Sequence, residues 1–288
     1  MFGSLKLGKF FGIDTYVHGT FWLLPLFVLF SGVAGGDLSG AVGEVLLLFA
    51  MFGCVALHEV GHALAARYYG VRTRDITLYP VGGVASLERM PERPFQEIVI
   101  ALAGPAVNLA IAAGLFAGMI ASAIAFPGSL VPTALDPLDG FVVRLMEVNV
   151  GLLLFNLIPA FPMDGGRVLR AALSLGMPRV DATRAAVGVG SVLAVVGGIA
   201  GLVTGHLMWS FVALVVFMLG QAELAAVVRQ DAYRRRREEG YDDDPRDDEQ
   251  VRVVNVRPHG SFSGWVWDAQ RQVWTEWQGG VPVREVRR

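Results

Sequence analysis

Residues 41–70 read AVGEVLLLFAMFGCVALHEVGHALAARYYG. The first half is an apolar run rich in Leu, Val, Ala and Phe. The second half keeps that character but inserts His58, Glu59 and His62. A bilayer core needs roughly 20 apolar residues per helix, and this run supplies them. An ionisable side chain at that depth costs about 2.5–3.5 kcal/mol on insertion scales, so it is read first as a functional site. On a helix, His58 and His62 lie one turn apart on one face. Two imidazoles so placed can bind one Zn²⁺, with Glu59 beside them to handle a proton of water; this is the mechanism behind the pattern H-E-x-x-H. The competing reading is a polar patch used for helix packing.

Working outward, the chain has 288 residues, 53% hydrophobic and 17% charged, which excludes an ordinary soluble domain and points to a membrane protein. Six apolar stretches are candidate spans: 17–35, 41–69, 95–126, 139–159, 186–205 and 207–228. The first follows a basic N-terminus with no A-x-A-like site after it and reads as a retained helix, not a signal peptide. The fourth is the least regular, because Arg144 and Glu147 sit near its start, either paired on one helix face or at the interface. The connections at 35–40, 127–138 and 204–206 lack Lys and Arg, whereas the opposite set is basic. The positive-inside rule then puts both termini in the cytoplasm, with His58 and His62 in the cytoplasmic half of the second span. Cys54 is the single cysteine, so no intrachain disulfide forms.

Two segments break the helical pattern. Residues 75–87, DITLYPVGGVASL, read as short strands about a Gly-Gly turn. Residues 156–166, NLIPAFPMDGG, hold two prolines and two glycines that no helix runs through. Non-helical backbone at this depth must be buried in protein or line a wet cavity.

The expected architecture is therefore an all-α polytopic membrane protein with six transmembrane helices, a short membrane-associated β-segment and a small C-terminal β module. The core covers residues 1–228. Residues 229–250 read as a charged flexible linker, and 251–288 as a Trp-rich β module. The last sixty residues hold 12 of the 24 Lys and Arg and 12 of the 26 Asp and Glu. The four-arginine run is followed at once by acids, so it suits topology and anionic lipid rather than nucleic acid. In GWVWDAQRQVWTEWQ, alternation predicts a hairpin turning near Asp268–Arg271, flanked by VRVVNV and VPVREV.

A catalytic zinc needs a third protein ligand and an open position for water. His206 falls on the far side, His259 is in the tail and His18 opens the first span. Asp164 stands out, because it follows the Pro-rich break and precedes Gly165–Gly166 on the same side as His58. Its other reading is an N-cap for the helix that starts near Gly165. Cys54 shares a face with His58, but a free cysteine reads better as a small buried hydrophobe than as a ligand. Gln221 and Glu223, near the end of the last span, read as polar contacts.

HEVGH at 58–62, AGPAVN at 103–108 and NLIPAFPMDGG at 156–166 together resemble the site-2 protease family of intramembrane zinc metalloproteases. LYPVGGVA at 78–85 looks like that family's membrane-dipping β-segment. The resemblance covers roughly residues 10–228 and is to the form with no inserted regulatory domain and a short β-rich tail. Met163 stands where the family often has leucine, a volume-conserving change. The resemblance implies one Zn²⁺ per chain held by His58, His62 and Asp164, with Glu59 as general base. It implies a transmembrane protein substrate within the lipid bilayer, cleaved in regulated intramembrane proteolysis, and residence as a multi-pass protein of the cell (inner) membrane. Asn108 and Asn156 are implied near the substrate, and Gly104 as a packing residue. An extended edge at 78–87, with Gly82 and Gly83 permitting the turn, suits pairing with an unwound substrate. The rival functions are a catalytically silent relative that binds membrane proteins, and a metal transporter.

Overall fold

The computed structural model describes residues 3–80, 82–88, 93–125, 137–238, 263–268, 273–279 and 281–287. The chain forms two compact units, Met1–Arg229 and Gln230–Arg288.

The first unit begins with a feature absent from the sequence expectation. Strands β1 (Ser4–Phe10) and β2 (Ile13–His18) form an antiparallel hairpin, turning at Phe11 and Gly12, both at positive φ. Ile13, Thr15 and Val17 are buried in alternation, which is the period-2 signal of a half-buried strand. The apolar run at 17–35 is thereby shortened at its start. Val17 and His18 finish β2, a 3₁₀ turn covers Gly19–Trp22, and helix α1 covers only Leu23–Ala34. Twelve residues rise about 18 Å, well short of a hydrocarbon core.

Helix α2 (Leu38–Tyr68) follows, capped by the Asp37 carboxylate accepting from Gly40 N at 2.8 Å. Strands β3 (Thr73–Tyr79) and β4 (Gly82–Leu87) form the expected hairpin, but Gly82 and Gly83 are not its turn: they open β4, paired with Tyr79 and Leu78. β2 and β3 pair in parallel, so the sheet order is β1-β2-β3-β4 and β4 is an edge. The sheet lies on α2. Ile13 and Ile76 pack with Val60 and Ala63, while Val17, Phe21 and Leu78 pack with Phe52.

Helices α3 (Pro94–Ala125), α4 (Pro137–Asn156), α5 (Asp164–Leu173), α6 (Arg179–Val203) and α7 (Leu207–Glu238) complete the order. Among the described residues, four helices (α2, α3, α6 and α7) are long and apolar enough to cross a membrane, where six spans were expected. α4 is 20 residues long but carries Asp139, Arg144 and Glu147. Arg144 Nη1 donates to Glu44 Oε1 on α2 rather than to Glu147. α2 and α3 approach through glycine. A Cβ at Gly61 would stand 2.8 Å from both the Ala103 carbonyl oxygen and Val107 Cγ2, so only a residue without a side chain fits.

Helix α7 continues through Arg229, where the charged linker was expected to begin. α7 runs on to Glu238, with an Arg235–Asp231 pair at 2.9 Å one turn apart. Residues 239–250, the rest of that linker, lie outside the described residues, as does VRVVNV at 251–256. β5 (Gly264–Asp268), β6 (Val273–Gln278) and β7 (Val281–Arg287) form an antiparallel three-stranded sheet. Trp267 and Trp274 face each other across β5 and β6 with ring centroids 5.4 Å apart.

Candidate metal centre

His58 and His62 lie on the buried side of α2 and meet at their Nε2 atoms, 3.0 Å apart. What brings them together is a hole in the neighbouring helix. A Cβ at Gly104 of α3 would stand 2.3 Å from His62 Nε2 and 2.7 Å from His58 Nε2. Both rings therefore occupy the volume that any other residue would fill. One turn back on α3, the Ile100 carbonyl accepts a hydrogen bond from His62 Nδ1 at 2.7 Å. That bond fixes the ring and its tautomer and leaves the Nε2 lone pair free for a metal. His58 Nδ1 is buried without a hydrogen-bond partner.

Asp164 arrives from a distant part of the chain. After α4, the backbone folds back through Ala160 N–H to Ile158 O at 2.8 Å and Met163 N–H to Ala160 O at 3.0 Å. A Cβ at Gly165 would stand 2.3 Å from the carbonyl oxygens of both Leu157 and Ile158; one at Gly166 would stand 2.7 Å from the Ala160 carbonyl carbon. The two glycines let α5 start against the loop that precedes it. Asp164 is the first residue of α5, and Met163 is its N-cap with no side-chain cap bond. The carboxylate is thus not used as a cap. Its Oδ2 lies 3.2 Å from His58 Nε2 and 3.2 Å from His62 Nε2, buried and without a hydrogen bond.

Among the described residues, His58, His62 and Asp164 are the one group of metal-ligating side chains whose donor atoms gather, all within 4.8 Å of one another. The fit to zinc is close. Two ligand atoms about 2.0–2.1 Å from a tetrahedral zinc stand roughly 3.3 Å apart. The separations of 3.0, 3.2 and 3.2 Å match that triangle. A buried carboxylate oxygen with no hydrogen bond is costly unless a cation shares it.

The other sequence candidates fall as follows. Glu59 is half-buried and turns toward the sheet, where a Cβ at Gly83 would stand 2.7 Å from Glu59 Cγ. The edge strand β4 therefore passes directly over Glu59. Gly82 sits at φ +138°, a conformation that glycine alone adopts readily. Asn108, one turn beyond Gly104, is fully buried, and both of its amide atoms lack partners. Asn156 ends α4, half-buried and outside the ligand group. Cys54 accepts a hydrogen bond from Asn149 Nδ2 at 3.3 Å and takes no part in the triangle. His18 caps the 3₁₀ turn through Thr20, His206 pairs with Thr204 at 3.1 Å, and His259 lies outside the described residues. Gln221 donates to Ser191 Oγ and Glu223 accepts from Arg170. The Ile100 carbonyl was invisible to motif reading, because a backbone acceptor leaves no residue signature.

The profile of Peptidase family M50 matches residues 46–130, which include the His58–His62 turn and Asn108. The chain is 34% identical over 227 residues to a zinc metalloprotease of Methanocaldococcus jannaschii, covering 78% of this chain and 61% of that protein. It is 32% identical over 252 residues to a putative zinc metalloprotease, Rip3, of Mycobacterium tuberculosis, covering 80% of this chain and 61% of that one. The solved structure of the site-2 protease from Methanocaldococcus jannaschii superposes with a TM-score of 0.55 at 32% identity, covering 77% of this chain and 95% of the solved one. The chain belongs to the site-2 protease family, peptidase family M50. As a site-2 protease family member it is a multi-pass integral membrane protein, and His58, His62 and Asp164 are placed to bind a metal ion. The chain spans 61% of the length of each of these two metalloproteases.

Proposed function

We propose that the chain is an intramembrane zinc metalloendopeptidase that cuts transmembrane segments of membrane proteins. The observation that carries this is the meeting of His58 Nε2, His62 Nε2 and Asp164 Oδ2 in one buried triangle beside Glu59. Those three side chains would hold the ion. When bound, zinc supplies Lewis acidity toward water and toward a peptide carbonyl. Glu59 accepts a proton from the attacking water as its oxygen bonds to the carbonyl carbon. Glu59 then returns that proton to the leaving nitrogen as the peptide C–N bond breaks. A helical substrate hides its carbonyls in its own hydrogen bonds and must unwind locally. The β4 edge, whose Gly83 lies against Glu59, offers backbone groups to such an unwound stretch by strand addition. Gly82 and Gly83 let that stretch approach. Asn108 and Asn156 supply amides to the substrate backbone or the oxyanion, and the unpartnered, buried amide of Asn108 supports this.

In this reading α1 and α4 also lie within the bilayer, giving six membrane segments, with both termini cytoplasmic in the cell (inner) membrane. A charged connection and a Trp-rich module then follow the core on the cytoplasmic side. A metal transporter would need ionisable groups free along a path. The buried ones described outside the site, Glu97 and Arg170, are instead paired with each other.

Co-expression with candidate single-span membrane proteins tests the proposal. Glu59→Gln keeps zinc and loses cleavage by about 10²–10⁴-fold, so the uncut precursor accumulates. Processing by Glu59→Gln at the wild-type rate would refute it.

A further inference from the structure

Arg170 is fully buried in α5, six residues past Asp164. Its Nε donates to Glu97 Oε1 at 2.9 Å and its Nη2 donates to the same oxygen. Its Nη1 donates to Glu223 Oε1 at 2.6 Å, and the guanidinium lies 5.0 Å from the centroid of the Phe161 ring. Glu97 is itself buried, and its other oxygen meets Arg179 Nη1 at 3.3 Å. One side chain thus joins α3, α5 and α7 to the loop before Asp164, and Glu97 extends the tie to α6.

Stability alone is a poor account of this network. Buried ion pairs contribute little net, because desolvation offsets their attraction. Its position suggests a geometric use. Phe161 stands three residues before Asp164 and Arg170 six residues after it, so the guanidinium over the Phe161 ring ties the segment before the carboxylate to the helix after it. Glu97 stands one turn before Ile100, whose carbonyl holds His62 Nδ1. The same stretch of α3 therefore fixes the imidazole at one point and the carboxylate-bearing helix at another. The planar fork and the stacked face are both used, which a lysine cannot reproduce.

We infer that Arg170 and Glu97 are positioning residues: through α3 they hold the Asp164 carboxylate at the two imidazoles, and so set the affinity of the zinc site. This rests on the ligand assignment above, and the test separates the two. Zinc affinity is measured by chelator competition on the detergent-solubilised full chain, alongside thermal unfolding of the chelated protein. Asp164→Asn is the ligand arm, and unchanged affinity there would sink the assignment itself. Arg170→Lys and Glu97→Gln are expected to weaken zinc by about 10–100-fold, as outer partners of metal ligands do. Their folded, chelated forms unfold cooperatively, as the wild type does. Arg184→Gln, which breaks only an exposed pair with Asp181, leaves affinity unchanged. A purely structural role would lower the folded fraction without altering the affinity of what remains folded. If Arg170→Lys does not fold, Glu97→Gln, nearly equal in volume, decides. Wild-type affinity in a folded variant, with Asp164→Asn weakened, would overturn the inference.

Discussion

Replacing Gly104 with alanine adds one methyl group to the wall behind both imidazoles. Built on the backbone, that carbon stands 2.3 Å from His62 Nε2, 2.6 Å from His62 Cε1 and 2.7 Å from His58 Nε2. Carbon atoms rest about 3.5–4.0 Å from their neighbours, so the rings or the helix must move by roughly 1 Å. His62 has little room, because its Nδ1 is bonded to Ile100 O at 2.7 Å on the same helix that pushes it. Overpacking of this kind costs about 1–3 kcal/mol. If the rings bear that cost, zinc affinity falls roughly 5–150-fold, at about 1.4 kcal/mol per tenfold. The assay is chelator competition on the purified protein, with Gly114→Ala and Gly118→Ala as controls. On the same helix, a Cβ at either of those positions meets nothing within 4 Å. An unchanged zinc affinity in Gly104→Ala would refute the idea that the two rings fill the glycine's place.

Two further outcomes are expected. Zinc that binds only the folded chain stabilises it by about 2.7 kcal/mol at one hundred times its dissociation constant, so adding zinc to chelated protein raises the unfolding temperature, and Asp164→Asn removes most of that rise. In the N-terminal hairpin, Lys6 Nζ lies 2.5 Å from Asp14 Oδ1; the hydrogen bond from Lys6 holds the Asp14 carboxyl below its ordinary value and raises the Lys6 ammonium above its own. The Asp14 contribution is present above the unfolded carboxylate pKa and is lost as pH falls through the lowered folded value. The Lys6 contribution is present below the unfolded lysine pKa and is lost as pH rises through the raised one. Lys6→Ala returns the Asp14 titration, followed by NMR, to the ordinary range; a titration that does not move would show that the pair does not form.

The parts of this protein that were legible in advance share a local cause. The four-residue spacing of His58 and His62 predicts a shared helix face, because a helix repeats every 3.6 residues. The prolines and glycines of 156–166 predict a break, because they remove backbone donors and side-chain bulk. The strands read at 75–87 follow from their β-branched residues, although Gly82 and Gly83 open the second strand and do not form the turn. The N-terminal hairpin was equally local: Ile13, Thr15 and Val17 alternate, but the long apolar run after them masked the shorter period. Arg144 was harder, because its partner Glu44 lies 100 residues away.

By itself, then, the sequence singled out the candidates for the chemistry: a histidine pair, a glutamate and an aspartate held before two glycines, in a chain apolar enough for a membrane. Only the tertiary structure decided that the two histidines and the aspartate meet. The 3.2 Å approach of Asp164 to both rings depends on the gap at Gly104, on the fold-back at Gly165 and Gly166, and on the Glu97–Arg170 tie. Each of these joins segments far apart in the chain. Spacing along a sequence encodes a helix face or a turn, but it does not encode a distance across a packed interior.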